Sequence, residues 1–481
     1  MGVGRSGKKR GAVEFRIISH ACLEVTAGDK RLVIDPWLNE PTYWSSWWYC
    51  PPPVFGPEIF SADYVYVTHW HFDHFDPKTL RKFAKSTTAI VPKFPVSGLK
   101  QQLEEIGFER IVELRHGERI QLGKDFWLTS YQVSFQDDSV AVVEADGSVL
   151  VDLNDAKPLP STWRRFRAKY PKADFMLRSH SPAWSYPTRF TFEDPADRLP
   201  VDSRTYMEAF VAAAQQLRPR YAIPFASGIC HLHREVRDEN RFLVSAPEMR
   251  KYFEANASRV PDTTLVVMPV GSRWSSQSGF DLTDNAVDDV IAYAEQRAQS
   301  ESERLEKTYR SEESKEVAFD DFSRYFTKFF RATRLLRPAM RKTRWVFTIE
   351  KPQSEYWCVD FGTATIERSA QMPALYDSVI AVSPAVLSGS LRNDVFTNVD
   401  ISKRWRVHIK RGSAMGHFIV TNLLLLYEAE YLSPKCLFSW RFLTGYARRF
   451  PEVLDYAAMA IRTATEGKES LVTAVTSIAE G

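Results

Sequence analysis

The sequence predicts an α/β protein: a strand-rich sandwich with outer helices over about 13–285, followed by a smaller α+β domain. Three observations carry this. A chain of 481 residues exceeds what one hydrophobic core usually organises, so two domains are expected. Short apolar strands bounded by turn residues recur through the first third of the chain. Helical runs follow only some of them, which fits a sandwich better than a regular βαβ repeat. A charged stretch, YAEQRAQSESERLEKTYRSEESKE at 293–316, reads as a solvated helix at a domain junction.

Taken in order, 1–12 is a basic tail and 13–18, 23–26 and 31–34 are strands, the last two joined by the turn Ala27-Gly28-Asp29-Lys30. Asp35-Pro36-Trp37 stops the third strand. An aromatic loop follows, from Tyr43 through Trp44, Trp47, Trp48 and Tyr49 to Pro51-Pro52-Pro53. Rings so concentrated need apolar cover: the loop is expected either to line one side of a cleft as a lid or to be a flap buried against the rest of the fold or the C-terminal domain, the two weighed equally. The segment 63–68 (DYVYVT) is a strand and 77–85 is helical. Further strands are read at 90–91, 111–114, 126–131, 140–144 and 149–153, with helices at 100–106 and 206–217. The stretch 286–343 reads as a charged and amphipathic helical linker, and 344–481 as the α+β domain, opening with a meander at 345–349, 356–361 and 363–368.

Composition narrows the functional classes. Hydrophobic residues are 44% and charged residues 26%, which is ordinary for a globular chain, and 63 basic against 60 acidic residues give no reason to expect nucleic-acid binding. The cysteines Cys22, Cys50, Cys230, Cys358 and Cys436 are scattered and odd in number, so neither a disulfide framework nor a cysteine zinc site is signalled. With no apolar run behind Lys8-Lys9-Arg10, a reducing cytoplasm is the expected compartment. The apolar run 418–427 falls short of the ~20 residues of a membrane span and reads as a buried helix. Phe319, Phe322, Phe326, Phe329 and Phe330, with Arg324, Lys328, Arg331 and Arg334 among them, make 319–344 a candidate for peripheral membrane contact, weighed against an amphipathic helix packed on its own domain.

The chemistry concentrates in His69-Trp70-His71-Phe72-Asp73-His74, where three of the ten histidines of the chain stand with an aspartate directly after an apolar strand. Such a loop can turn His69 and His71 to one cation and Asp73 and His74 to a second, about 3.5–4 Å away. Imidazole and carboxylate suit zinc, iron or manganese alike.

THWHFDHFD resembles the HxHxDH motif of the metallo-β-lactamase superfamily. ISHACLEV with RLVIDPWL is similar to the branch that contains CMP-N-acetylneuraminate hydroxylase, and the likeness continues through DDSVAVVEADGSVLVDLNDAKP, PAWSYP and PRYAIPFASGICHLHRE, over about 14–272. The resemblance implies a four-layer αββα sandwich with ligand loops at one edge. It also places a bridging carboxylate on Asp155 and a last histidine on His233, with His231 competing, and makes His20 and Asp35 supports of the ligands. Where the pattern has a third histidine this chain has Ser134, which removes a ligand from the first metal; His180 or His231 stands as its replacement. A fainter similarity of 375–411 to sterol-carrier-like domains implies an apolar pocket there.

Three functions follow. The first is a metal-dependent hydrolase acting on a small-molecule ester, amide or phosphodiester through a water activated by one or two zinc ions, with Asp73 and Asp155 as catalytic groups. The second is an iron-dependent hydroxylase, as the resemblance implies; no paired Cys and His ligands for an iron–sulfur donor are found, so electrons would come from a separate protein. The third is a binding protein with a degraded site, for which Ser134 argues.

Overall fold

The computed structural model describes residues 12–133, 138–349 and 355–466. Among these, alternation along the strands builds four layers. In Lys30–Ile34, Leu32 and Ile34 point to one side and Val33 to the other; in Asp138–Ala145, Ala141 and Val143 oppose Val140 and Val142. One set from each sheet meets in a central core where Leu32, Ile34, Tyr66 and Ile90 face Leu128, Val143, Leu150 and Leu177. Outside the first sheet, Val33, Val65 and Val91 take Leu99 and Leu103 of the helix Gly98–Ile106. Outside the second, Val142, Val151 and Met176 take the helices Pro160–Lys169, Ser203–Leu217 and Ala246–Ala255. This is the expected αββα sandwich; the first and last of those three helices were not read from the sequence, and of 77–85 only Pro77–Leu80 is α-helical.

The first sheet runs Gly279–Asp281, Arg273–Ser275, Val13–Ile17, Leu23–Ala27, Lys30–Ile34, Tyr64–Tyr66, Thr88–Pro92, Arg110–Leu114, and its last four strands are parallel. In the second, Ser148–Asn154, Phe175–Arg178, Tyr221–Pro224 and Thr264–Leu265 are parallel, with Asp138–Ala145 antiparallel beside them. The carboxyl ends of Lys30–Ile34, Tyr64–Tyr66 and Ser148–Asn154 therefore gather with the start of Asp138–Ala145 at one edge. Loops at such an edge are where open α/β sheets place ligands.

A third sheet, Phe190–Phe192, Trp405–Ile409, Ser378–Val382, Arg344–Ile349, Glu355–Asp360, Thr365–Ser369, organises the C-terminal part, which is mainly helical. Its outermost strand, Phe190–Phe192, comes from the N-terminal half and pairs in parallel with Trp405–Ile409. The stretch 286–343 is helical and amphipathic, and the segment 293–316, expected to be a solvated helix, also has a covered face: Val290, Ala294, Ala298, Leu305 and Tyr309 are buried with Trp47 and Trp48. The aromatic face of Phe319–Ala332 is likewise covered, Phe322 and Phe326 lying against Phe347 and Trp357 or Phe361, so of the two readings of that face the helix packed on its own domain holds and the membrane contact does not. No helix among the described residues is long and apolar enough to cross a membrane. The apolar run 418–427 lies in the helix Ala414–Glu428, with Val420 and Leu424 buried.

Candidate metal centre

Two strand ends bring the chemistry together. Backbone N–H of Asp35 donates to Tyr66 O across the parallel pair (2.9 Å), and Asp35 then leaves the sheet with φ 46°. Asn154 does the same at the end of its strand, with φ 43°. A left-handed conformation at a non-glycine residue costs on the order of 1–3 kcal/mol, and here it turns Asp35 and Asp155 towards the same space as the histidine loop.

The Asp35 carboxylate, fully buried, accepts from Thr68 N (2.8 Å), Thr68 Oγ1 (2.6 Å) and His74 Nδ1 (2.7 Å). Because the Thr68 hydroxyl proton goes to Asp35, its lone pairs are left to accept from His69 Nδ1 at 2.9 Å. Both histidines then donate from Nδ1 and turn Nε2 inward. His69 Nε2 lies 2.8 Å from His71 Nδ1 and 3.9 Å from Asp155 Oδ2. His74 Nε2 lies 3.2 Å from Asp73 Oδ2 and 3.8 Å from Asp155 Oδ1. Asp73 is held from its other side by His20 Nε2 (3.1 Å) and by the Tyr43 hydroxyl, which donates to Oδ1 at 2.6 Å.

Two groups have ligand atoms mutually within 4.8 Å: His20, Asp73 and His74, and His69, His74 and Asp155. His74 Nε2, Asp155 Oδ1 and His20 Nδ1 are buried without a hydrogen-bond partner. Such atoms are costly unless something occupies the space between them. Charge points the same way. Burial favours a neutral ring at His74, but Asp73, Asp155 and Asp35 outweigh it and hold its pKa well above the ordinary value. Burial pushes Asp73 up, yet His74 and His20 keep its carboxyl well below the usual range. His69 is driven well down by burial and by His74. The centre thus calls for positive charge, and its nitrogen and oxygen donors fit zinc, iron or manganese.

Of the expected residues, His69, His71, Asp73, His74 and Asp155 come together. His20, expected as a support, reaches Asp73 directly and belongs to one of the two groups; Asp35 stands behind His74 and Thr68. The expected last ligand does not join them. His233 Nε2 is 3.2 Å from Glu312 Oε2 and its ring is 4.9 Å from that of Tyr309, so a carboxylate on the helix Ser302–Glu313 has taken it. His231 donates from Nδ1 to Ser46 O (3.1 Å), and its Nε2 has no partner. His180 is buried, which pushes its pKa down to about 4, and neither it nor His231 belongs to either group. Ser134 lies outside the described residues.

Sequence reasoning missed Asp138, whose Oδ1 is 3.5 Å from His69 Nδ1. It starts a strand antiparallel to Ser148–Asn154, and the start of an antiparallel strand lies at the same edge as its neighbour's end. The acidic pair before SVAVV was its only signal. Burial and Asp155 hold its carboxyl well above the usual range. Tyr43 was missed as a partner of Asp73. The aromatic segment around it borders the centre, since Trp47 lies 5.9 Å from His20, but it is no lid: Trp47–Tyr49 is a buried strand paired with Ile229–His231.

Residues 14–154 match the family model described as a beta-lactamase superfamily domain. Over 46% of the chain it is 26% identical to a putative Rieske 2Fe-2S iron-sulfur protein of Mycolicibacterium smegmatis, covering 45% of that protein. It is 25% identical, also over 46% of the chain, to the inactive cytidine monophosphate-N-acetylneuraminic acid hydroxylase of Homo sapiens, covering 46% of it. Igni18, a metallo hydrolase from Ignicoccus hospitalis, is similar over 55% of this chain and 98% of its own, with 14% identity and a TM-score of 0.37. The chain carries a metallo-β-lactamase fold. Within that fold it resembles the CMP-N-acetylneuraminate hydroxylase branch, and it spans about half the length of the curated relatives it matches.

Proposed function

We propose that the chain is a metal-dependent hydrolase acting on a small-molecule ester, amide or phosphodiester. The observation that carries this reading is the pair of orphaned atoms, His74 Nε2 and Asp155 Oδ1, 3.8 Å apart beside His69 Nε2. His69, His74 and Asp155, with Asp73, His20 and His71 beside them, are the residues that would hold one or two zinc ions. A bound ion supplies a water whose pKa falls towards about 7. The remaining work belongs to the chain. Asp35 holds His69, through Thr68, and His74 in the Nδ1–H tautomer. Tyr43 and His20 fix the Asp73 carboxylate. Asp155, with its side chain 30% exposed, is the group open to solvent that takes the proton of the attacking water. A reducing cytoplasm, in keeping with cysteines that form no disulfide among the described residues, belongs to the same reading.

A second reading, an iron-dependent hydroxylase fed with electrons by a partner protein, is favoured by the names of the two curated relatives and by the carboxylate share of the centre, Asp73, Asp138 and Asp155. Elemental analysis and an optical spectrum of the purified protein, with release of p-nitrophenol from p-nitrophenyl esters, separate the two. Hydrolysis expects zinc, a featureless visible spectrum and turnover reduced about 100-fold or more in Asp155→Ala. Iron with oxygen-sensitive bands and no ester turnover would overturn it in favour of the hydroxylase.

A further inference from the structure

Two residues beyond Asp155, Lys157 has a placement the reaction described above does not use. Its ammonium lies 4.3 Å from the centroid of the Trp184 ring, and no carboxylate among the described residues is within 4.0 Å of it. Among the described residues no hydrogen bond spends its three N–H donors. Yet it follows Asp155 by two residues, and its charge interacts with Asp155, Asp138 and His71. Trp184 therefore holds the stem and charge in place, as a ring face does for a cation, without neutralising it.

Behind it stands a second cation. Arg178 ends the parallel strand next to Ser148–Asn154, in register with Asn154, and is 5% exposed. Its Nη1 donates to Ala156 O at 3.1 Å, while its Nε has no partner. Two like charges held at one strand-end edge are unfavourable unless an anion answers them. Asp155 and Asp138 are the nearest candidates, but a carboxylate spent on a metal ion no longer answers either. The loaded centre would thus leave two positive charges unmatched beside the reacting position, one of them only half-buried.

We propose that Lys157, seated on Trp184 and backed by Arg178, anchors an oxyanion group of the substrate, a carboxylate or a phosphoryl group, next to the His69, His74 and Asp155 centre. The substrate class is then the anionic small molecule. This deepens the hydrolase reading and rests on it for the reaction, but the anchor itself is a binding site and is tested as one.

The test uses the full chain with its metal as purified. Succinate and methylphosphonate are titrated calorimetrically into the wild type, Lys157→Met and Lys157→Arg, and metal content is measured for each. The anchor expects Lys157→Met to weaken the preferred oxyanion about 10- to 100-fold, a charge-assisted hydrogen bond's share, with metal content unchanged and Lys157→Arg within a few-fold of wild type. Preference for succinate identifies a carboxylate and preference for methylphosphonate a phosphoryl group. A wild type that binds neither, or a Lys157→Met variant that binds both as the wild type does, overturns the proposal. Loss of metal in Lys157→Met overturns it too, because Lys157 would then only position Asp155. A paired assay with mono-p-nitrophenyl succinate and p-nitrophenyl butyrate separates the two readings. The anchor expects KM for the anionic ester to rise at least tenfold more than for the neutral one; equal effects sink the anchor and leave the hydrolase. No turnover of either ester, with oxyanion binding still dependent on Lys157, sinks the hydrolase and leaves the anchor.

Discussion

Asp35 sits between the ends of two neighbouring parallel strands and accepts from Thr68 and His74, and through the Thr68 hydroxyl it also decides which nitrogen of His69 carries the proton. One carboxylate thereby directs two imidazoles inward. Asp35→Asn keeps the size but places an amide N–H where only an acceptor serves, so one of the two rings must turn or change tautomer. Metal affinity is expected to fall about 10- to 100-fold, read by zinc titration against a competing chelator, with the fold retained by circular dichroism. Unchanged affinity would mean that the rings are held by their packing instead. At this scale the sequence was informative where residues are contiguous. The hexapeptide 69–74 announced itself, whereas Asp138 and Tyr43 reach the same centre from strands and loops that only the sheet order brings near.

The segment 43–53 shows how an element can be recognised by composition while its role stays open. Its rings are concentrated at the edge of the centre, as expected, but Trp48 is 0% exposed, donates from Nε1 to Ser45 O at 2.9 Å and carries the Arg304 guanidinium 4.7 Å from its ring centroid. Trp47 donates to Ile401 O at 3.0 Å. A buried indole with its N–H satisfied is a wall. Trp48→Ala should cost about 3–5 kcal/mol, lowering the melting temperature and, because Tyr43 and Asp73 lie against the same wall, the metal content together. A raised KM at an unchanged melting temperature would restore the lid. The helix Phe319–Ala332 makes the same point: its 3.6-residue pattern of phenylalanines was legible, but periodicity cannot say whether lipid or a sheet covers the face.

Across the whole molecule, the two halves are joined by ion pairs as well as by the strand Phe190–Phe192. Arg404, 2% exposed, is gripped by Glu312 through both Nη atoms (2.6 and 2.8 Å), by Glu235 (2.9 Å) and by Trp44 O (2.7 Å), and Glu312 also holds His233. Burial pushes the Glu312 carboxyl up, but Arg404 and His233 outweigh it and bring its pKa down to about 2 from 4.5. A carboxyl depressed on folding contributes stability above its unfolded pKa and loses it as pH falls through the folded one. The window is therefore about pH 4.5 to 2. The wild type should lose thermal stability steeply between pH 5 and 3, and Glu312→Gln, less stable at pH 7, should lose less over the same interval. Parallel curves for the two proteins would show that the junction does not depend on this charge.

By itself the sequence determined a strand-rich sandwich with outer helices, the strand end that carries His69 to His74 and the metal-binding character of that loop, because these follow from alternation, turn residues and ligands close together in the chain; the four-layer order and the place of Asp155 came from the resemblance to the metallo-β-lactamase superfamily. Only the tertiary structure decided that His20 and Asp138 belong to the centre and His233 to the junction, that the tryptophan segment is a wall, and that Lys157 rests on Trp184. Each of those depends on which distant carboxylate, ring or helix arrives at a given point, and chain spacing holds no record of that.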